Sequence, residues 1–257
     1  MFCVLFPADC RICHFPLTNI STLPVCQQCL DQIAPLDGVL CTVCGEKLSS
    51  SPGRIDNDAL CGICHRTAPA FRRAISYGAY AGVLRELVHL LKYHQVRPAA
   101  ALLGDLLSQA LAGAELPGNL VVIPVPLWTG KRRSRGFNQA EEIARAFIRR
   151  FRRSGTAASR IQLDTTSLVR QRDTASQTGL TRHQRRANVR GAFAVVRPHT
   201  IQGRSILLVD DVMTTGTTAG ECARILLRAG VKEVFVATVA RATKEVQGGQ
   251  AFSAAAQ

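Results

Sequence analysis

An apolar run, Ile206-Leu207-Leu208-Val209, leads without interruption into Asp210-Asp211-Val212-Met213-Thr214-Thr215-Gly216-Thr217-Thr218. No other feature limits the fold as tightly. A short stretch that is apolar throughout reads as a strand buried on both faces, and such strands belong to parallel sheets covered by helices. The two carboxylates are then expected directly after the strand, at the end of the sheet where open α/β folds bind their ligands. Residues 214–218 are expected to turn into a helix, with Gly216 accepting a positive φ. That helix should run over residues 218–229 and stop at Gly230, a good left-handed terminator.

The chemistry of this string suits a sugar monophosphate. Backbone N–H groups at the start of a helix and threonine hydroxyls can surround a phosphate at the positive end of the helix dipole. Adjacent carboxylates can accept hydrogen bonds from vicinal ribose hydroxyls, or hold Mg²⁺ through water. A P-loop does not fit, because no Gly-Lys-Ser/Thr follows the glycine. An acid pair that merely caps a helix at a sheet edge is the structural alternative.

The rest of the second part of the chain keeps the same rhythm. Ile75, Tyr77 and Ala79 alternate as in a strand, and Val83, Leu84, Leu87, Val88, Leu90 and Leu91 recur at helical spacing. A second helix is expected over residues 99–111, then a buried strand over residues 120–123 ended by Pro124 and Pro126. A basic loop follows. Ala140, Ile143, Ala144, Phe147, Ile148 and Phe151 mark an amphipathic helix. Residues 154–190 are polar, without sustained periodicity, and read as a mobile loop with a short helix. Strands are expected again at residues 192–196 and 231–239. The fold class is therefore α/β, with a mostly parallel sheet and helices on both faces.

Charge is concentrated in the middle. Residues 131–190 hold sixteen Lys and Arg against four acids, which accounts for +12 of the formal net charge of +14. Such a segment attracts phosphate-rich ligands or a nucleic-acid backbone. Arginine forks at Arg132, Arg133 and Arg135, with Lys131, suit pyrophosphate oxygens. A solvated basic face is the alternative. Base stacking has little support here, since of Trp128, Phe137, Phe147 and Phe151 near the basic run the last two read as core residues.

Nine of the ten cysteines precede residue 68. Eight form C-x-x-C pairs: Cys10/Cys13, Cys26/Cys29, Cys41/Cys44 and Cys61/Cys64. Two-residue spacing lets both sulfurs face one tetrahedral ion, so eight ligands make two Cys₄ zinc sites. Sequential pairing is the simplest, and interleaved pairing of Cys10/Cys13 with Cys41/Cys44 stays open. A disulfide framework is disfavoured in a chain with no export signal. Redox chemistry needs one exposed, low-pKa pair at a helix start, and an iron–sulfur cluster has ligands enough but no further support. His14 and His65 are secondary candidates. Cys222 reads as a small buried residue, and His89 and His94 as surface or core residues.

With 47% apolar residues the chain is rich enough to build a core. No stretch approaches the ~20 uncharged apolar residues that span a bilayer, and a soluble, cytoplasmic protein is expected. The expected units are a cysteine-rich module over residues 1–68, an α/β unit over residues 72–244 and a frayed tail over residues 245–257.

The string from Asp210 to Thr218 resembles the phosphoribosyl-pyrophosphate (PRPP) signature of type I phosphoribosyltransferases. Together with "IPVPLWTGKRRSRGFNQAEEIA", "LVRQRDTASQTGLTRHQRRANVRGAF" and the cysteine-rich start, the whole chain resembles the ComF family, which includes GntX-like bacterial proteins. The resemblance implies that Asp210 and Asp211 contact ribose hydroxyls and that Thr214, Thr215, Gly216, Thr217 and Thr218 hold the 5-phosphate. It implies a pyrophosphate loop after Pro124, and a closing loop over residues 170–190 with Gln177 and Arg186 among its characteristic residues. It further implies Mg²⁺ with PRPP, a double zinc ribbon, and a role in natural transformation through single-stranded DNA, with a competence helicase or other uptake proteins as partners. The alternative is an active PRPP-dependent transferase acting on a base or amine. No hood for an acceptor is identifiable, and no general base either, so the sequence leaves binding and turnover open.

Overall fold

Nine consecutive residues, Ser205–Met213, form the middle strand of a five-stranded sheet. The computed structural model describes residues 9–17, 21–48, 59–153, 161–174 and 181–243; Cys3, Gln177 and the tail from 245 lie outside them. Among these, the strands are β1 (Arg73–Ala79), β2 (Leu120–Pro124), β3 (Gln162–Leu163), β4 (Leu168–Arg170), β5 (Phe193–Val195), β6 (Ser205–Met213) and β7 (Glu233–Arg241). The helices are α1 (Gln27–Leu30), α2 (Gly62–Arg66), α3 (Gly82–Tyr93), α4 (Ala99–Leu111), α5 (Thr129–Arg135), α6 (Gln139–Arg153), α7 (Arg182–Val189) and α8 (Thr217–Arg228).

The sheet runs β1-β7-β6-β2-β3 and every pairing in it is parallel. That agrees with the apolar runs of β2, β6 and β7, which are almost wholly buried. The α/β fold expected from the sequence is thus present. On one face, α3, α4 and α6 contribute Leu87, Leu103, Leu107, Ile143 and Phe147 to a core with Leu207 and Val209. α4 and α6 approach closely enough that a Cβ on Gly104 would lie 2.5 Å from the Cβ of Ala146. On the other face, Cys222, Ala223 and Leu226 of α8 pack with Ile206, Leu208 and Val236.

Three expectations need correction. Asp210 and Asp211 do not follow the strand; they lie within it. β6 stays paired with β7 through Asp210↔Thr238 and Met213↔Arg241, four residues past Val209, where its pairing with β2 ends. The apolar criterion stopped at the first charge, whereas the backbone goes on as long as a partner strand is there to satisfy it. The basic loop is a helix, α5, bounded by Trp128 and by Gly136 at φ +82°. It buries no residue, so it leaves no apolar periodicity to read. Its last turn holds Arg132, Arg133 and Arg135, which complement the helix dipole. Finally, the described parts of the stretch expected as a loop with one helix, residues 161–174 and 181–190, hold more than a helix. They contain α7, opened by a Thr181–Gln184 capping box, the edge strand β3, and β4, which pairs antiparallel with β5 in a separate ribbon.

The cysteine segments pack on both faces. Cys10, Val25 and Cys29 join the core of α3, α4 and α6. Cys41, Cys44, Cys61 and Cys64 join the opposite core, with Phe71 and Met213.

Candidate functional site

Neighbouring residues of a strand alternate between the two faces of its sheet, so the two acids of β6 meet different layers. Asp211 is met from α3: its Oδ1 lies 2.9 Å from Nζ of Lys92, with side chains only 5% and 17% exposed. Burial works against the ammonium of Lys92, but the charge of Asp211 and its hydrogen bond outweigh that and raise the Lys92 pKa. The second oxygen of Asp211, Oδ2, is buried without a hydrogen-bond partner among the described residues. Asp210 accepts a bond from the backbone N–H of Asp211 at 2.9 Å. Burial, then the negative charge of Asp211, push its carboxyl up to about 7; Lys92 and Arg170 pull the other way. Arg170, from β4, stacks over the Phe193 ring at 5.5 Å, and its buried Nε has no partner among the described residues.

The threonine turn follows at once. Gly216 is the N-terminal cap of α8 at φ +72°. A Cβ there would stand 2.7 Å from the Met213 methyl, so conformation and space both favour glycine. The hydroxyls of Thr215 and Thr217 lie 2.7 Å apart. Thr217 and Thr218 open the helix, whose first-turn N–H groups face the turn. Thr214 is gripped twice: its hydroxyl accepts from Arg185 of α7 at 2.9 Å, and its carbonyl accepts from Arg241 of β7 at 3.0 Å. The residue expected from the closing segment, Arg186, is exposed beside Arg185.

α5 borders this site through Arg135, whose guanidinium sits 5.7 Å from the ring of Tyr93, the residue after Lys92. Arg135 also donates to Gln139, and Arg132 pairs with Glu141 at 3.3 Å. Lys131 and Arg133 are exposed. Phe137 and Phe147 are buried, whereas Tyr93 is 66% exposed, making it the aromatic ring this basic face offers to solvent.

Sequence reasoning missed Lys92, Arg170, Arg185 and Arg241. Lys92 had a signal: it falls four residues after Val88, on the apolar stripe of α3, where an unpaired charge is costly. Arg241 ends a strand whose run from Val234 to Ala240 is apolar but for Thr238. Arg170 and Arg185 were hidden among many arginines.

The cysteines form two groups in sequential order, Cys10, Cys13, Cys26, Cys29 and Cys41, Cys44, Cys61, Cys64, with every sulfur of a group within 4.8 Å of the others. Interleaved pairing is thereby excluded, and His14 and His65 belong to neither group. All eight are free thiols. Zn–S bonds of ~2.3 Å in a tetrahedron place sulfurs about 3.8 Å apart. The separations are 3.9 Å for Cys10–Cys29, 3.5 Å for Cys13–Cys26 and 3.6 Å for Cys44–Cys61. Burial opposes ionisation of Cys10, but N–H groups of Cys13, Cys26 and Ile12 bring its thiol down to about 6; Cys41 is brought to about 7 in the same way. Burial pushes Cys29, Cys44 and Cys64 the other way, so each group joins one readily ionised thiol to sulfurs that a zinc ion would have to deprotonate on binding. The two groups can each hold an ion.

Comparison with known proteins extends these observations. A phosphoribosyl transferase domain model matches residues 133–247. DNA utilization protein YhgH of Escherichia coli O157:H7 is 33% identical over 236 residues, 90% of this chain and 95% of that one. Competence protein F of Haemophilus influenzae is 29% identical over 233 residues, 84% of this chain and 96% of that one. Among solved structures, glutamine PRPP amidotransferase from B. subtilis is 22% identical with a TM-score of 0.35, over 55% of this chain and 26% of that one. A hypoxanthine phosphoribosyltransferase from Staphylococcus aureus is 13% identical with a TM-score of 0.30, over 58% of this chain and 64% of that one. A third of the residues shared with YhgH, across almost the full length of both proteins, shows that the chain belongs to the ComF family of phosphoribosyltransferase-like proteins with a cysteine-rich N-terminal segment.

Proposed function

We propose that the chain binds PRPP at the step from Asp210 to Thr218 and serves the handling of DNA, as the names of its relatives suggest. One observation carries the reading: Asp211 is buried, paired with Lys92 at 2.9 Å, and keeps Oδ2 free of any described partner. A buried acceptor without a donor costs about 1–3 kcal/mol, and a ribose hydroxyl would supply the missing donor. Thr214, Thr215, Gly216, Thr217 and Thr218 would hold the 5-phosphate at the start of α8, with Arg185 from the closing segment. Mg²⁺ bound with the ligand would neutralise the pyrophosphate, helped by Lys131, Arg132, Arg133 and Arg135 of α5. Gln177, from the same closing segment as Arg186, would join at closure.

Zinc in the two cysteine groups would brace residues 1–68 against the α/β unit of residues 72–244. Single-stranded DNA would run along the basic face of α5, with the exposed ring of Tyr93 offering a stacking surface there. A helicase or another uptake protein is the partner class that fits this role.

Calorimetric titration with PRPP and Mg²⁺ tests the reading. Saturable binding is expected for the native chain and none for the Asp210→Asn/Asp211→Asn variant with its fold intact. A native chain that gives no binding heat at several temperatures overturns it. Pyrophosphate release across a panel of bases and amines then separates binding from turnover.

A further inference from the structure

The Arg241 side chain stands between the second cysteine group and the threonine turn, almost wholly buried. From one side its Nη2 donates to Oε2 of Glu46 at 2.6 Å and lies 3.7 Å from Sγ of Cys44; from the other its Nη1 donates to the carbonyl of Thr214 at 3.0 Å. Glu46 sits in the knuckle that carries two of the four sulfurs: Cys41 donates its N–H to the Glu46 carbonyl at 2.8 Å, and Gly45 donates to the Cys41 carbonyl at 2.8 Å. The knuckle is tied to the sheet by Ala74 N–H donating to the Val43 carbonyl at 2.7 Å. At the far end, Ala242 N–H donates to the Met213 carbonyl at 3.0 Å, one residue before Thr214. The guanidinium thus spans three groups from two segments, and its Nε is buried without a partner among the described residues. A side chain placed for burial alone would not forgo that bond. The first cysteine group has no such link: among the described residues, the hydrogen bonds of Cys10, Cys13, Cys26 and Cys29 end within residues 10–32.

We propose that Arg241 is a positioning residue that couples a metal ion in the second cysteine group to the grip of the threonine turn on its ligand. The inference rests on the PRPP reading for the identity of that ligand. With Cys41 and Cys44 held by an ion, the knuckle is rigid, Glu46 is fixed, and Arg241 fixes the Thr214 carbonyl. When the ion leaves, the knuckle loosens and the turn loses that support. Coupling between two binding sites is reciprocal, so the ligand must in turn hold the ion more firmly in the second group and leave the first unaffected.

The test uses the full chain loaded with two zinc ions, a chelator, and alkylation of the released thiols followed peptide by peptide. PRPP with Mg²⁺ is expected to slow alkylation of Cys41, Cys44, Cys61 and Cys64 several-fold and to leave Cys10, Cys13, Cys26 and Cys29 unchanged. In Arg241→Met the selective protection should vanish and PRPP affinity should fall about tenfold, with both ions still bound. Glu46→Gln, which keeps the arginine in place, should weaken both effects and serves if Arg241→Met fails to fold. A ligand-free arm measures amide exchange over residues 213–218: chelation should speed it in the native chain, and it should already be fast in Arg241→Met. Equal protection of both groups, or full protection in both variants, overturns the coupling. If the native chain binds no PRPP, the functional reading fails by itself, and unchanged exchange over residues 213–218 on chelation is then the result that overturns the link.

Discussion

The buried acid step of β6 and the exposed basic helix α5 both meet the end of α3, at Lys92 and Tyr93, and both are strongly charged. They hold that charge in opposite ways. Asp211 and Lys92 form one pair at 2.9 Å with little access to water, so each depends on the other and on the protonation state of its neighbours. Lys131, Arg132 and Arg133 stand in solvent, where salt screens them and their pairs are worth little to stability. The contrast teaches that formal charge does unequal work: buried charge is suited to orienting one small ligand, whereas exposed charge is suited to a long polyanion whose sequence it does not dictate.

The largest expected effect tests the buried side. Lys92→Met leaves Asp211 as a buried charge without its partner, which should cost about 3–5 kcal/mol in urea unfolding at pH 8. Lys92→Met/Asp211→Asn should recover much of that loss, because the amide carries no charge. If the single change costs no more than a surface substitution, the pair is not the buried charge contact described here.

A middle-sized effect comes from Asp210. Its carboxyl is held up at about 7 by burial and by the charge of Asp211, against about 3.9 in an unfolded chain. Between those values the folded protein binds the proton better than the unfolded chain. Its stabilising contribution is therefore complete below about pH 4 and is lost as pH rises through about 7. The melting temperature of the native chain relative to Asp210→Asn should decline from pH 5 to pH 8. A constant difference across that range would place the titration elsewhere.

The smallest effect on stability belongs to the exposed side. Replacing Arg132, Arg133 and Arg135 together by glutamine should shift unfolding by only about 0.5 kcal/mol per site or less. Single-stranded DNA binding should nevertheless weaken, with the slope of log affinity against log salt reduced by about 2 for three lost phosphate contacts. Tyr93→Ala should weaken binding without changing that slope. An unaltered salt slope in the triple variant would move the DNA surface away from α5.

Much of the architecture was legible because its physics is local. The apolar runs of β2 and β6, the spacing of Leu87 and Leu91 in α3, and the stripe of α6 announce burial wherever they occur. The C-x-x-C spacing likewise declares a metal knuckle before any fold is known. Where an element buries nothing, as with α5, or where a strand runs past its apolar part, as with β6 beyond Val209, the sequence had no signal to show.

By itself the sequence determined the alternation of strands and helices, the two four-cysteine sets and the position of Gly216, since each depends on the conformational and chemical preferences of residues close in the chain. Only the tertiary structure decided that Lys92 meets Asp211, that the cysteine pairs combine in sequential order, and that Arg241 joins Glu46 and Cys44 to Thr214. Those contacts join residues 119 positions apart in the first case and up to 197 in the last. At such distances local preference says nothing, and the parallel sheet, by bringing the ends of β1, β7 and β6 together, chooses which charges become neighbours.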